Sequence, residues 1–175
     1  SYSYGATDFM THGTGVTSAG VLLGDNAIDP NFTIVAGPGG YTGAARALTA
    51  DGYPIVGAWV GNNATSRWIV PVNSDGDGSA PAGNYTYRTT FNLTGFDLAS
   101  AKLTGFWATD NSGYIVLNGV VTGSTNNGFS SVTALTIGSG FQAGVNTLDF
   151  VVNNGGGPTG LLVNLSGTAV PLALS

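Results

Sequence analysis

Two groups of side chains in this sequence have the make-up of a ligand site. The first is Trp59 with Asn62, Asn63 and Arg67, joined by the pair Asp110-Asn111 further along the chain. An indole ring stacks on the apolar C–H face of a pyranose, and amide, carboxylate and guanidinium groups bond its hydroxyls. Packing is the competing role: Trp59 divides evenly between platform and core, whereas Trp68, heading the run Trp68-Ile69-Val70, reads as core. The second group is Asp25, Asn26 and Asp29, three oxygen donors of the kind a structural Ca²⁺ takes. Against that, Asp29-Pro30 starts a turn and Asp25-Asn26 can cap a neighbouring one.

Other chemistry is poorly provided for. Asp75-Gly76-Asp77-Gly78 has the opening spacing of a calcium loop, but the chain has no Glu and no helical periodicity, which excludes an EF-hand and leaves a surface turn. His12, the single histidine, sits in a Thr/Gly loop with no second His to build a metal site. Glycoside hydrolysis needs two positioned carboxyl groups. The candidate pair is Asp110 with Asp149, one in a turn and the other alternating outward on a strand. There is no G-x-S-x-G motif and no Cys. The sequence therefore reads as a binding or structural protein, not an enzyme.

The elements that must position these residues are strands. In 84–93, Tyr85, Tyr87, Thr89, Phe91 and Leu93 share one face and Thr86, Arg88, Thr90 and Asn92 the other. In 146–152, Leu148, Phe150 and Val152 do the same. Between them Tyr114-Ile115-Val116-Leu117 runs into Asn118-Gly119, a pair that tolerates positive φ and predicts a tight hairpin into Val120-Val121-Thr122. Further strands are expected at Phe32–Ala36 and Leu161–Leu165, and one helical turn in Gly95–Lys102 with Asp97 as its N-cap. Trp107–Gly113 is expected as a tight connection, and 153–160 as a flexible loop. The expected fold is all-β, an antiparallel two-sheet sandwich of jelly-roll type without long helices, with residues 1–175 as a single domain. Ligands of such sandwiches sit on end loops, here 61–67, 108–113 and 153–160.

Composition narrows the setting. Charged residues make up 7% of the 175, far below the roughly 25% of ordinary soluble domains, so solubility rests on Thr, Ser, Asn and Gly. A net charge of −5 argues against nucleic acid or an anionic membrane as partner. No apolar run is long enough for membrane insertion. The hydroxyl-rich, Cys-free palette is expected of a secreted, extracellular or cell-surface protein, its signal peptide already removed before Ser1.

Tyr87-Arg-Thr-Thr-Phe91, Asp110-Asn-Ser-Gly-Tyr-Ile-Val-Leu-Asn-Gly119 and Gly144-Val-Asn-Thr-Leu-Asp-Phe-Val-Val152 resemble, in that order, the galactose-binding-like jelly roll. That resemblance implies a carbohydrate-binding scaffold, often with a structural calcium. Asp29-Pro30, Asn62-Asn63-Ala64 through Trp68-Ile69, Tyr85–Phe91 and Val151–Gly160 also look similar to ectodomains of exported bacterial proteins with a PEP-CTERM sorting signal. This implies association with exopolysaccharide or biofilm matrix, although the chain ends at Ser175 without the signal itself. Two functions are expected to compete. One is a non-catalytic module binding a polysaccharide or glycan. The other is a matrix or filament subunit whose self-association proceeds by strand addition through its N-terminal segment.

Overall fold

The computed structural model describes residues 5–173. What was expected of Ser1–Tyr4 and of the final two residues lies outside them. Eleven strands are present among the described residues: Thr7–Phe9 (β1), Ile28–Ala36 (β2), Gly43–Ala47 (β3), Ile69–Val70 (β4), Gly83–Asn92 (β5), Lys102–Asp110 (β6), Ser112–Leu117 (β7), Val120–Asn126 (β8), Thr133–Ile137 (β9), Val145–Asn154 (β10) and Gly160–Ala169 (β11). Helix is confined to two 3₁₀ turns, Pro38–Gly40 and Leu98–Ser100. The second starts where expected, with the Asp97 carboxylate accepting the Ala99 N–H.

Strand order runs β8-β7-β10-β5-β2-β3-β4-β11-β6-β9, with β1 paired to the far end of β11. Every pairing is antiparallel. The path folds over itself into two layers: β8-β7-β10-β5-β2 faces β11-β6-β9, and the short β3 and β4 carry it from one to the other. The expected all-β antiparallel sandwich is the fold observed.

Alternation explains the layering. Tyr85, Tyr87, Thr89, Phe91 and Leu93 are all buried, as are Leu148, Phe150 and Val152 beside them and Ile115 and Leu117 on β7. Leu103 and Trp107 on β6, Leu135 and Ile137 on β9, and Leu161, Val163 and Leu165 on β11 close the core from the other side. Phe150 lies near its centre, tilted against Phe32 with ring centroids 6.1 Å apart and edge-on to Trp107 at 5.7 Å.

The hairpin at Asn118-Gly119 forms as expected, with φ of 51° and 80°. Its Asn118 side chain is also a fastener: Oδ1 accepts the Thr147 N–H, and Nδ2 donates to Asn146 Oδ1. One expectation is corrected. Residues 107–113, expected as a tight connection, are mostly strand: β6 stays paired with β11 up to Asp110↔Gly160 and β7 begins at Ser112, so the connection shrinks to Asn111 alone. The N-terminal segment keeps an edge: β1 pairs with Gly167–Ala169 of β11 and with no other strand among the described residues, and the Phe9 ring lies over Gly167.

Truncating Phe150 to Ala should cost about 3–5 kcal/mol, whereas Asp149→Ala, one residue along on the outer face, should cost about 1 kcal/mol or less. Urea unfolding of both variants checks this. Comparable losses would mean the inward and outward faces of β10 are wrongly assigned.

Candidate functional site

The expected site residues fall into separate structures. Asp110 ends β6 and is 6% exposed. Its Oδ2 accepts the Trp59 indole N–H at 2.8 Å, and its backbone carbonyl accepts the Thr159 hydroxyl at 2.5 Å. Burial raises the Asp110 pKa above the ordinary carboxylate value, and the Trp59 hydrogen bond offsets part of the rise.

Trp59 is 4% exposed, with its ring against that of Trp68 at a centroid distance of 4.1 Å. A ring so enclosed has no face for a sugar, so the platform role expected of Trp59 is corrected to packing. With Leu48, Val70, Ala108 and Leu162 the two indoles form a second apolar cluster, on the outer side of β6 and β11 under the 48–68 excursion.

Asn62, Asn63 and Arg67 fasten that excursion. Asn62 donates to Leu48 O at 3.0 Å and accepts the Trp68 N–H at 2.7 Å. The Asn63 carboxamide oxygen accepts the N–H groups of Thr65 and Ser66, closing a local turn. Arg67 donates its backbone N–H to Thr14 O and its guanidinium to Leu23 O. These three do not converge with Asp110.

Asp25, Asn26 and Asp29 are also engaged separately. Asp25 accepts the Thr49 N–H at 2.7 Å. Asn26 adopts a left-handed φ of 66° and offers its carbonyl to Arg46. Asp29, 3% exposed, accepts the N–H groups of Gly15, Asn31 and Phe32. Its pKa is raised by burial and only partly restored by those donors. Among the described residues no three His, Cys, Asp or Glu side chains gather as metal ligands. Asp25 and Asn26 sit in a turn as expected, whereas Asp29-Pro30 lies within β2, at the register irregularity between Ile28 and Thr33.

Like Asp25, Asn26 and Asn63, Asn111 is exposed. Its N–H donates to Asn153 O at 2.6 Å and its Oδ1 accepts the Gly155 N–H at 2.8 Å, so it locks the 155–159 loop to the end of β10. Beside it lies the outer face of β7, β10 and β5, built in cross-strand rows. Ser112, Asn153 and Asn84 form the first, Tyr114, Val151 and Thr86 the second, and Val116, Asp149 and Arg88 the third. Asn153 donates to Asn84 Oδ1 at 2.9 Å. Arg88 binds Asp149 through two N–H groups at 2.8 and 2.9 Å. That fork raises the Arg88 pKa further above its ordinary value.

The Tyr114 ring, 38% exposed, stands among these amides and the ion pair. An aromatic surface framed by fixed donors and acceptors suits a polyhydroxylated ligand with an apolar face. Sequence reasoning treated Tyr114 as one of a run of strand formers. The signal for its orientation was available, because Ile115 and Leu117 facing the core force Tyr114 outward.

No protein-family model matches the chain. No curated protein matches it either. Among solved structures it is similar to a GH26-CBM35 β-(1,4)-mannanase from Podospora anserina, with 22% identity and a TM-score of 0.35, over 67% of this chain and 24% of the mannanase. It is also similar to the CBM36-1 domain of a multidomain xylanase from the hindgut metagenome of Trinervitermes trinervoides, at 12% identity and TM-score 0.35, covering 97% of this chain and all of that one, 100%. A third likeness is to the PA14 sugar-binding domain of an RTX adhesin, at 13% identity and TM-score 0.31, over 77% of this chain and 86% of that domain. TM-scores and identities this low assign neither family nor ligand.

The raised pKa of Asp110 carries a sign. The folded chain holds that proton more tightly than the unfolded one, so folding stability falls as pH rises from the ordinary carboxylate value through the raised one. Asp110→Asn keeps an acceptor for Trp59 and removes this component, so its stability should decline less between mildly acid and neutral pH. Denaturation midpoints taken across that range check it. Parallel profiles for parent and variant would contradict the assignment.

Proposed function

We propose that this protein is a non-catalytic carbohydrate-binding module that holds a neutral polysaccharide on the outer face of β7, β10 and β5. The observation that carries the reading is Tyr114, an exposed ring on a flat strand surface bounded by Asn84, Asn153, Thr86 and the Arg88–Asp149 fork. Stacking supplies the affinity, and the amides and ion pair choose among hydroxyl patterns. The net charge of −5 favours a neutral chain over an acidic one.

A binding role also agrees with the state of the carboxylates. Asp110 is bonded to Trp59 and Asp149 to Arg88, so neither member of the pair considered for glycoside hydrolysis is poised as an acid or nucleophile. The low-charge, hydroxyl-rich surface supports an extracellular, exopolysaccharide-associated setting for this activity.

A matrix or filament subunit is the second reading, and one observation favours it. Strands β8 and β9 end the strand path, and Val120 and Val121 on β8 are 69% and 62% exposed. An edge without charge is open to pairing with another copy. On this reading Val121→Lys suppresses concentration-dependent growth in light scattering, and a parent protein that stays monomeric at high concentration sinks it.

Affinity electrophoresis through gels cast with xylan, β-mannan or dextran tests the leading reading. The parent chain should be retarded by at least one of them, and Tyr114→Ala should weaken that retention roughly tenfold while Tyr114→Phe keeps it. Unhindered migration of the parent in every gel would overturn it.

A further inference from the structure

We infer that the opposite layer carries a second glycan-binding face, centred on Phe106, so that one molecule grips two neutral polysaccharide chains and cross-links them. This rests on the carbohydrate-binding reading above. It is drawn from different residues.

Phe106 lies on β6 between Gly105 and the core residue Trp107, and is 54% exposed. Its cross-strand neighbours are Asn164 on β11 and Ala134 on β9, and the adjacent outward row is Ser166, Thr104 and Thr136. A shallow depression of about 370 Å³ lies over these residues. Its lining is a ring, two threonines, a serine and an amide, with no charged group. Asn164 is held in place by donating to the Thr65 hydroxyl at 2.5 Å, which leaves its carboxamide oxygen to accept from a ligand.

The depression does not end at β11. Two more, of about 390 and 240 Å³, share Leu165 with one another and Asn164 or Ser166 with the first, and both reach Met10, which is 72% exposed. The trough therefore runs across the strands with an apolar side chain at each end and hydroxyls between. Met10 follows Phe9, which pairs with Gly167, so it falls beside Ser166, two strands across and one row along from Phe106, roughly 12 Å away and about the span of two to three sugar units. That is the arrangement an extended sugar chain needs.

Charge and polarity select the occupant. An uncharged lining around Phe106, with Asp8 and His12 the ionisable residues where the trough reaches Met10, on a chain of net charge −5 suits an uncharged partner. A single exposed ring among hydroxyls is too polar for the apolar core that a stable protein interface builds around.

The two faces point apart. Trp107, next to Phe106, and Ile115, next to Tyr114, both lie in the shared core between the layers, so each exposed ring is directed away from the other. A straight polysaccharide on one face cannot reach the second without wrapping the sandwich, so a second chain must fill it. Two such grips on one rigid body join chains into a network.

Static light scattering of dilute xylan, β-mannan or dextran mixed with the protein provides the test, beside the gel assay. The parent should raise the apparent mass of the retained polysaccharide well beyond simple decoration. Phe106→Ala and Tyr114→Ala should each abolish that rise yet still be retarded in the gel, and the double variant should migrate freely. In amide chemical-shift titrations with a short neutral oligosaccharide of the retained type, Phe106→Ala should erase the shifts around Asn164 and Ser166 and spare those around Asn153. Cross-linking by Phe106→Ala at the parent's level overturns the inference while leaving the first face intact. Loss of cross-linking in Phe106→Ala that tracks dissociation of a parent protein dimer overturns it too, since Phe106 would then serve a contact between copies. A parent that binds no glycan removes the first reading and this one with it.

Discussion

The contact between Phe150 and Trp107 is the point at which the two layers are held together. Each ring points inward from its strand, and each is wholly buried. Large aromatic side chains bury 150–250 Å² apiece, roughly, and dominate a core of this size. Once they are inside, period two leaves their neighbours no choice: Asp149 and Val151 flank Phe150 outward, and Phe106 precedes Trp107 outward. The two outward faces are thus by-products of the core. A strand slipped by one residue would exchange them wholesale.

The second apolar cluster shows how the same physics consumed residues with ligand-binding chemistry. Trp59 and Trp68 could have been displayed on a loop, but the outer surface of Ala108 and Leu162 was apolar and needed a cover. Covering it with two stacked indoles removes that surface from water and satisfies the Trp59 N–H on a carboxylate already sheltered at the end of β6. Asn62 and Arg67 follow the indoles into service, because a 48–68 excursion without strands of its own must satisfy its backbone groups through side chains.

What remains on the outside is unusual in kind. With so few charges, the surface is wetted by Thr, Ser and Asn, and its exposed apolar side chains are the rings of Tyr53, Phe106 and Tyr114 together with aliphatic residues such as Met10, Val120 and Val121. Such a surface offers little to nucleic acid or to a large apolar protein interface. It presents side chains able to hydrogen-bond hydroxyls and rings able to stack, the chemistry on which the proposed glycan binding rests. Few charges also leave the β8 and β9 edges without the lysines that commonly guard such edges.

The sequence by itself determined the strand faces of 84–93 and 146–152, the Asn118-Gly119 hairpin, the Asp97 cap and the outward place of Asp149. Each of these depends on period two or on a local backbone preference, both carried by neighbouring residues. It also carried, unread, the outward direction of Tyr114 and Phe106, since both alternate with core residues. Only the tertiary structure decided that Trp59 is buried, that Asp110 serves Trp59, that Asn62, Asn63 and Arg67 part from Asn111, and that Asp25 and Asp29 turn to different backbones. Those outcomes hang on which surface the 48–68 excursion covers and which strand ends it meets. Such contacts join residues as much as 51 positions apart, Trp59 to Asp110, and no local periodicity encodes them.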